Sequence, residues 1–171
     1  MPPAKPTNPL EGLVSSSKVY PLHEESTDGL VVCCADPRFL EANDQFLADI
    51  GIFHPAIIAV PGSIKSFGLQ AFIPKQWHTL QHQLELMAKR NAHVPRVVLI
   101  THEDCKSYAA SAEWLGGFAR ILDSQREHLV GVARFLKERY LPSANVELYR
   151  ARIVPNGTTQ GVAYEPIAFD N

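Results

Sequence analysis

Apolar positions in this chain alternate between two kinds of pattern. Residues 30–34, Leu-Val-Val-Cys-Cys, form a continuous apolar run after the turn signal Asp28-Gly29. A run that is apolar on both faces reads as a central strand of a parallel sheet. Asp36-Pro37 breaks it. Beyond the break, Phe39, Leu40, Phe46, Leu47 and Ile50 recur at three- and four-residue steps, which predicts a helix stopped by Gly51. Residues 56–60, Ala-Ile-Ile-Ala-Val, predict a second buried strand, closed by Pro61-Gly62-Ser63. A long helix is expected over residues 74–91. Pro74 suits its first position, and Trp77, Leu80, Leu84 and Met87 make its apolar stripe.

Pro95 precedes a third strand over residues 97–100. Helical spacing resumes after Cys105 with Trp114, Leu115, Phe118, Ile121 and Leu122. A further helix carries Leu129, Phe135, Leu136 and Tyr140. Residues 146–154 predict a fourth strand. Asn156-Gly157 is a hairpin signal, so residues 161–169 should return as an antiparallel edge strand.

Strands that alternate with helices imply an α/β fold: an open, mostly parallel sheet of four strands with an antiparallel edge strand, and helices on both faces. With right-handed crossovers and a strand order 2-1-3-4, strands two and three flank strand one. A crevice then opens at the C-terminal ends of strands one and three, where open α/β sheets bind ligands. Residues 1–22 carry Pro2, Pro3, Pro6 and Pro9, then Ser15-Ser16-Ser17, and read as an extended N-terminal arm. Residues 23–171 are expected to form one domain.

Composition narrows the function classes. The chain has 171 residues, 46% of them apolar and 20% charged, with a formal net charge of -2. That is an ordinary globular balance, with no basic footprint for nucleic acid or an anionic membrane. No apolar run reaches the length of a membrane span, and no secretory leader is evident, so a cytoplasmic location is expected. Three cysteines do not make a disulfide framework; their placement fits metal binding.

The candidate chemistry sits at the two strand ends. The first offers Cys34-x-Asp36-x-Arg38 and the second His102-x-x-Cys105. Two thiolates and one imidazole suit zinc, and three protein ligands leave a fourth position open, as in catalytic sites. A closed structural site would need Asp36 or a distant histidine as fourth ligand. Arg38 can grip the Asp36 carboxylate with two hydrogen bonds. Cys33 should face away from Cys34, because side chains alternate along a strand. Glu103 and Asp104 read as helix N-terminal acids, with Thr101 and Asp104 resembling a capping box. His78 and His82, four apart on a helix, read as solvated residues because no third ligand is evident. Tyr108 and Phe67 suit either an apolar pocket or the core.

Together, Cys34-Ala35-Asp36-Pro37-Arg38 and His102-Glu103-Asp104-Cys105 resemble the zinc signature of the β-class carbonic anhydrases, and the likeness in element order runs over roughly residues 28–169. The resemblance implies one Zn2+ per chain on Cys34, His102 and Cys105. It implies a carbonate dehydratase in which zinc-bound hydroxide attacks carbon dioxide to give bicarbonate, with Asp36 and Arg38 as catalytic residues. It also implies a homodimer or a multiple of dimers, and a second state in which Asp36 itself closes the zinc. Two alternatives stay open. One is a catalytically silent zinc protein, acting as scaffold or bicarbonate sensor. The other is a hydrolase of carbonyl sulfide or carbon disulfide on the same fold. Two positions depart from the family pattern. Val60-Pro61-Gly62-Ser63 stands where Arg-Asn-Ala-Gly is usual, and Lys106 stands where glycine is usual. Lys106 has three options: to lean into the crevice toward Asp36 or bicarbonate, to fill the space for carbon dioxide, or to carry its charge to solvent. His23, His54 and His78 are candidate proton relays among which the sequence does not select.

Overall fold

The computed structural model describes residues 26–169, so the arm expected over residues 1–22 and the candidate relay His23 lie outside the described residues. In chain order the elements are β1 (Gly29–Cys34), α1 (Pro37–Asp49), β2 (Pro55–Val60), α2 (Lys65–Gly68), α3 (Pro74–Arg90), β3 (Arg96–His102) and α4 (Lys106–Ala109). Two short 3-10 turns, Ala112–Leu115 and Phe118–Arg120, lead into α5 (Ile121–Arg139), followed by β4 (Asn145–Asn156) and β5 (Thr159–Ile167). The five strands form one sheet in the order β2-β1-β3-β4-β5. β2, β1, β3 and β4 are parallel, and β5 is the antiparallel edge.

The apolar run of β1 is buried at all six positions, as a strand covered on both faces requires. Its even and odd residues feed two separate cores. Leu30, Val32 and Cys34 join Leu80, Leu84, Leu129 and Leu136 beneath α3 and α5. Val31 and Cys33 join Phe39 and Leu47 beneath α1. Cys33 and Cys34 therefore point to opposite faces, as alternation demands. Burial pushes the Cys33 thiol up to about 11 and keeps it protonated. Leu40 of α1, placed in the apolar stripe by spacing, is instead 41% exposed.

The largest departure from the expected elements follows Cys105. The helical spacing from Trp114 to Leu122 does not make one helix. Gly116 and Gly117 take positive φ values of 83° and 104°, which end the first 3-10 turn and reset the chain direction before α5. α5 then runs without a break from Ile121 and Leu122, the end of the first spaced segment, through the second, and Tyr140 caps its C-terminus. The sequence also gave no sign of α2, whose four residues fill the connection between β2 and α3. The hairpin forms where expected, with Gly157 at φ 61° and Thr158 as its two loop residues.

α2 and α5 meet at a close approach. A Cβ on Gly68 would lie 1.9 Å from the His128 ring of α5. That ring cannot retreat freely, because its Nδ1 lies 3.0 Å from the hydroxyl of the fully buried Tyr108. Tyr108 and Phe67 are thus core residues, Phe67 packing on Phe135 at 5.1 Å. Gly68→Ala should cost on the order of 2–3 kcal/mol by overpacking, read as a lower urea midpoint. Burial also lowers the His128 pKa to about 4, so the folded state holds it neutral. The unfolded chain takes up that proton below roughly pH 6.5. His128 therefore contributes stability that is complete above that pH and is lost progressively down to about 4. Unfolding of metal-free protein across this window should show a steeper loss for the wild type than for His128→Gln.

Candidate metal centre

Two strand ends and the turn that follows the second bring the donors together. β1 ends at Cys34 and β3 ends at His102, and these strands pair in parallel with Val32 opposite Leu99. Both ladders continue a step past the strand ends: Ala35 N donates to Val60 O at 3.2 Å, and Glu103 N to Ala151 O at 3.1 Å. Cys105 follows on the turn into α4 and is that helix's N-cap residue. One ligand atom from each of Cys34, His102 and Cys105 lies within 4.8 Å of the others, and all three residues are buried. Among the described residues they are the one group of three or more metal-ligating side chains. The donors suit a metal in kind as well as in spacing. His102 is 2% exposed, and its Nε2 is buried with no hydrogen-bond partner among the described residues. Two sulfurs and one orphaned imidazole nitrogen are the zinc-type donor set.

The protonation states favour the same use. Cys34 is pulled well below the ordinary thiol range, first by the neighbouring Cys105 sulfhydryl, with burial opposing and His102 and the Gly62 amide adding to the shift. Gly62 N lies 3.3 Å from Cys34 Sγ. Cys105 is pushed up by Cys34 and by burial. The two sulfurs thus hold one proton between them, which a bound dication would displace. Burial works to lower the His102 pKa, but Cys34 and Asp104 outweigh it and raise the value.

Asp36 and Arg38 stand at the mouth. Arg38 Nε donates to Asp36 Oδ1 at 3.0 Å and Nη2 to Oδ2 at 2.7 Å, the two-pronged grip expected for this pair. The guanidinium holds the Asp36 carboxyl down at about 2, so it is ionised at any working pH. Asp36 also caps α1 by accepting from Arg38 N.

Asp104 differs from its expected role. The expected capping box with Thr101 does not form: α4 has no side-chain cap, and Thr101 Oγ1 has no partner among the described residues. Asp104 Oδ1 instead lies 2.9 Å from His102 Nδ1, and Oδ2 accepts from Arg38 Nη1 at 2.7 Å. Residues two apart share a face at a strand end, which was the signal for this contact in the sequence. Glu103 leaves the site and accepts from Ile153 N at 2.9 Å and from Arg152.

Three supports carried no local signal. Phe39 of α1 packs on the His102 ring with centroids 4.3 Å apart. The fully buried Gln125 of α5 donates to His102 O at 2.8 Å. Lys65 is only 8% exposed and donates to Ser107 O at 3.0 Å and Ser111 Oγ at 3.1 Å, which fixes the turn after Cys105. Burial lowers the Lys65 pKa, while Cys105 and Cys34 pull it back up.

A cleft of about 390 Å³ opens over the three donors. Asp36, Arg38 and Lys106 line it with Ala35, Pro37 and Pro61 as apolar wall. Lys106 is exposed, and among the described residues no acid pairs with it. Neither His54 nor His78 is among the residues lining the cleft; His78 packs on Trp77 of α3. His82 is exposed, and the His78–His82 pair gains no third ligand among the described residues. No helix is long and apolar enough to cross a membrane among the described residues.

No protein-family model matches the chain, and no curated protein matches it in sequence. Among solved structures it is similar to beta-carbonic anhydrase isoform I of the protozoan Trichomonas vaginalis, with 16% identity over 90% of each chain and a TM-score of 0.42. So distant a likeness assigns neither family nor activity.

The donor set makes a direct prediction. Gently purified protein should carry about one zinc per chain by elemental analysis, and Cys34→Ser should lose it. Sub-stoichiometric zinc that Cys34→Ser leaves unchanged would remove the metal centre altogether.

Proposed function

We propose that this chain is a zinc-dependent enzyme of the β-carbonic-anhydrase type that interconverts carbon dioxide and bicarbonate, with Cys34, His102 and Cys105 as the zinc ligands. The observation that carries the reading is the meeting of those three donors, at the ends of neighbouring strands, with an Arg-held carboxylate in one cleft. A zinc ion with three protein ligands supplies, near neutral pH, a nucleophile made from water.

The chain's own residues set the rest. Asp36, ionised and gripped by Arg38, is a fixed hydrogen-bond acceptor. It can orient a water-derived nucleophile toward a carbon atom without giving up a proton itself. Arg38 also restrains Asp36 from swinging inward to act as a fourth ligand. Ala35, Pro37 and Pro61 give a small linear molecule an apolar wall to lie against. Addition of water to carbon dioxide forms one C–O bond, shifts one C=O electron pair onto oxygen, and releases one proton to solvent or buffer. Lys106, exposed at the rim, carries its charge outward and leaves the wall free. The homodimer implied by the resemblance is part of the same proposal, and the exposed Phe53, Ile57, Phe72 and Phe118 offer it apolar surface.

Stopped-flow carbon dioxide hydration on zinc-loaded protein tests the reading. Two thiolate ligands donate strongly to the metal, so the rate should climb toward alkaline pH. Asp36→Asn should cost roughly 100-fold or more in kcat/KM, the range for a group that works in the transition state. Lys106→Gly should change the rate only a few-fold. A rate equal to buffer alone at every pH, for both wild type and Lys106→Gly, would overturn the enzyme reading. Turnover of carbonyl sulfide or carbon disulfide in its place would reassign the substrate.

A further inference from the structure

His102, Asp104, Arg38 and Asp36 form one unbroken chain of hydrogen bonds. The links are His102 Nδ1 to Asp104 Oδ1 at 2.9 Å, Asp104 Oδ2 to Arg38 Nη1 at 2.7 Å, and Arg38 Nη2 to Asp36 Oδ2 at 2.7 Å. The chain starts at a 2%-exposed imidazole and ends at a carboxylate on the cleft wall. Its middle member has no other task. Asp104 caps no helix, and among the described residues its two oxygens serve His102 and Arg38.

We propose that Asp104 is a positioning residue that joins the metal-binding imidazole of His102 to the Arg38–Asp36 pair, so that ligand and cleft carboxylate are set as a single unit. The inference rests on the metal reading above and deepens it.

The chemistry at each link is specific. A carboxylate at Nδ1 selects the tautomer whose proton sits there. That leaves the Nε2 lone pair for the metal, and Nε2 is the atom that has no partner. The side chain of Asp104 is 37% exposed, so water competes for it. Arg38 withdraws one of its oxygens from that competition and fixes the direction of the other. Arg38 is itself held by Asp36 through Nε and Nη2, which leaves Nη1 as the arm that reaches Asp104. A residue that touches no ligand thereby acts on a ligand, and the hydrogen-bonded path runs through Asp104.

The test is zinc affinity, by competition with a chromophoric chelator, on the full-length chain. Asp104→Ala should weaken zinc roughly 10–100-fold, the range for losing a hydrogen bond to a ligating imidazole. Asp104→Asn keeps an oxygen acceptor for Nδ1–H in the same volume and should recover part of that loss. In an Asp36→Asn background, where no freed carboxylate can become a fourth ligand, Arg38→Met should weaken zinc roughly threefold or more with Asp104 in place, and by no measurable amount when combined with Asp104→Ala. Equal effects of Arg38→Met in both backgrounds, Asp104→Asn no better than Asp104→Ala, or Asp104→Ala without loss would each overturn the proposal. If the wild type binds zinc and the cycle is additive, this inference alone fails. If the wild type binds no zinc, the metal reading fails and takes the inference with it.

Discussion

The parallel pairing of β1 with β3 is the constraint on which the rest depends. Cys34 lies 68 positions before His102 in the chain, and only the sheet brings them together. The register is firmly set. β1 is buried on both faces, and a one-residue slip would exchange its two sets of side chains between two cores of different shape. Such a slip would also carry Cys34 to the α1 face, away from its place beside His102 and Cys105. The hydrophobic packing that stabilises the sheet and the geometry that gathers the donors are thus one interaction seen from two sides.

Around that pairing, the polar groups of the site are held by segments far from it in sequence. α1 contributes Phe39 against the imidazole face, and its N-cap Asp36 is at once a helix cap and a cleft residue. α5 sends Gln125 to the His102 carbonyl. The turn after β2 brings Gly62 N to Cys34 Sγ, with Gly62 at φ 83°. A Cβ there would lie 2.9 Å from Ser107 Oγ, so the close approach of this turn to the segment after Cys105 needs glycine. Lys65 closes the same contact from below with two hydrogen bonds. A buried ammonium is costly unless its donors are satisfied, and two of the three are. The stretch Val60-Pro61-Gly62-Ser63, read from sequence as a departure, is therefore a working part of the frame that holds Cys34.

The charge arrangement separates two zones. The floor of the site holds the buried sulfurs and imidazole. The rim holds Asp36, Arg38, Asp104 and Lys106, all partly wet. Arg38 ties two rim carboxylates together because its three nitrogens reach both at once, a geometry that lysine could not reproduce, and Asp104 carries the link down to the imidazole. Lys106 has no such anchor among the described residues, and its position at the first residue of α4 leaves the side chain at the surface.

The sequence by itself determined the strands as elements, the two-faced burial of β1, the opposite facing of Cys33 and Cys34, and the residue types that stand at the two strand ends. Each of these follows from short-range pattern: apolar runs, period-two alternation, and residue types whose chemistry is evident at a strand end. Tertiary structure decided what short-range pattern cannot carry. Helical spacing ran on through Trp114, Phe118 and Ile121, yet the backbone freedom of Gly116 and Gly117 broke it into turns, because apolar period does not report φ. Asp104 looked like a cap because three-residue spacing fits a capping box. It became the partner of His102 and Arg38 because the fold offered it a buried imidazole and a guanidinium instead of an orphaned helix N–H. Gln125 and Lys65 gave no local sign at all, since their partners lie across the sheet or in another connection. Sequence names the donors of such a site, but which polar residues steady them is settled only when distant segments come within hydrogen-bond reach.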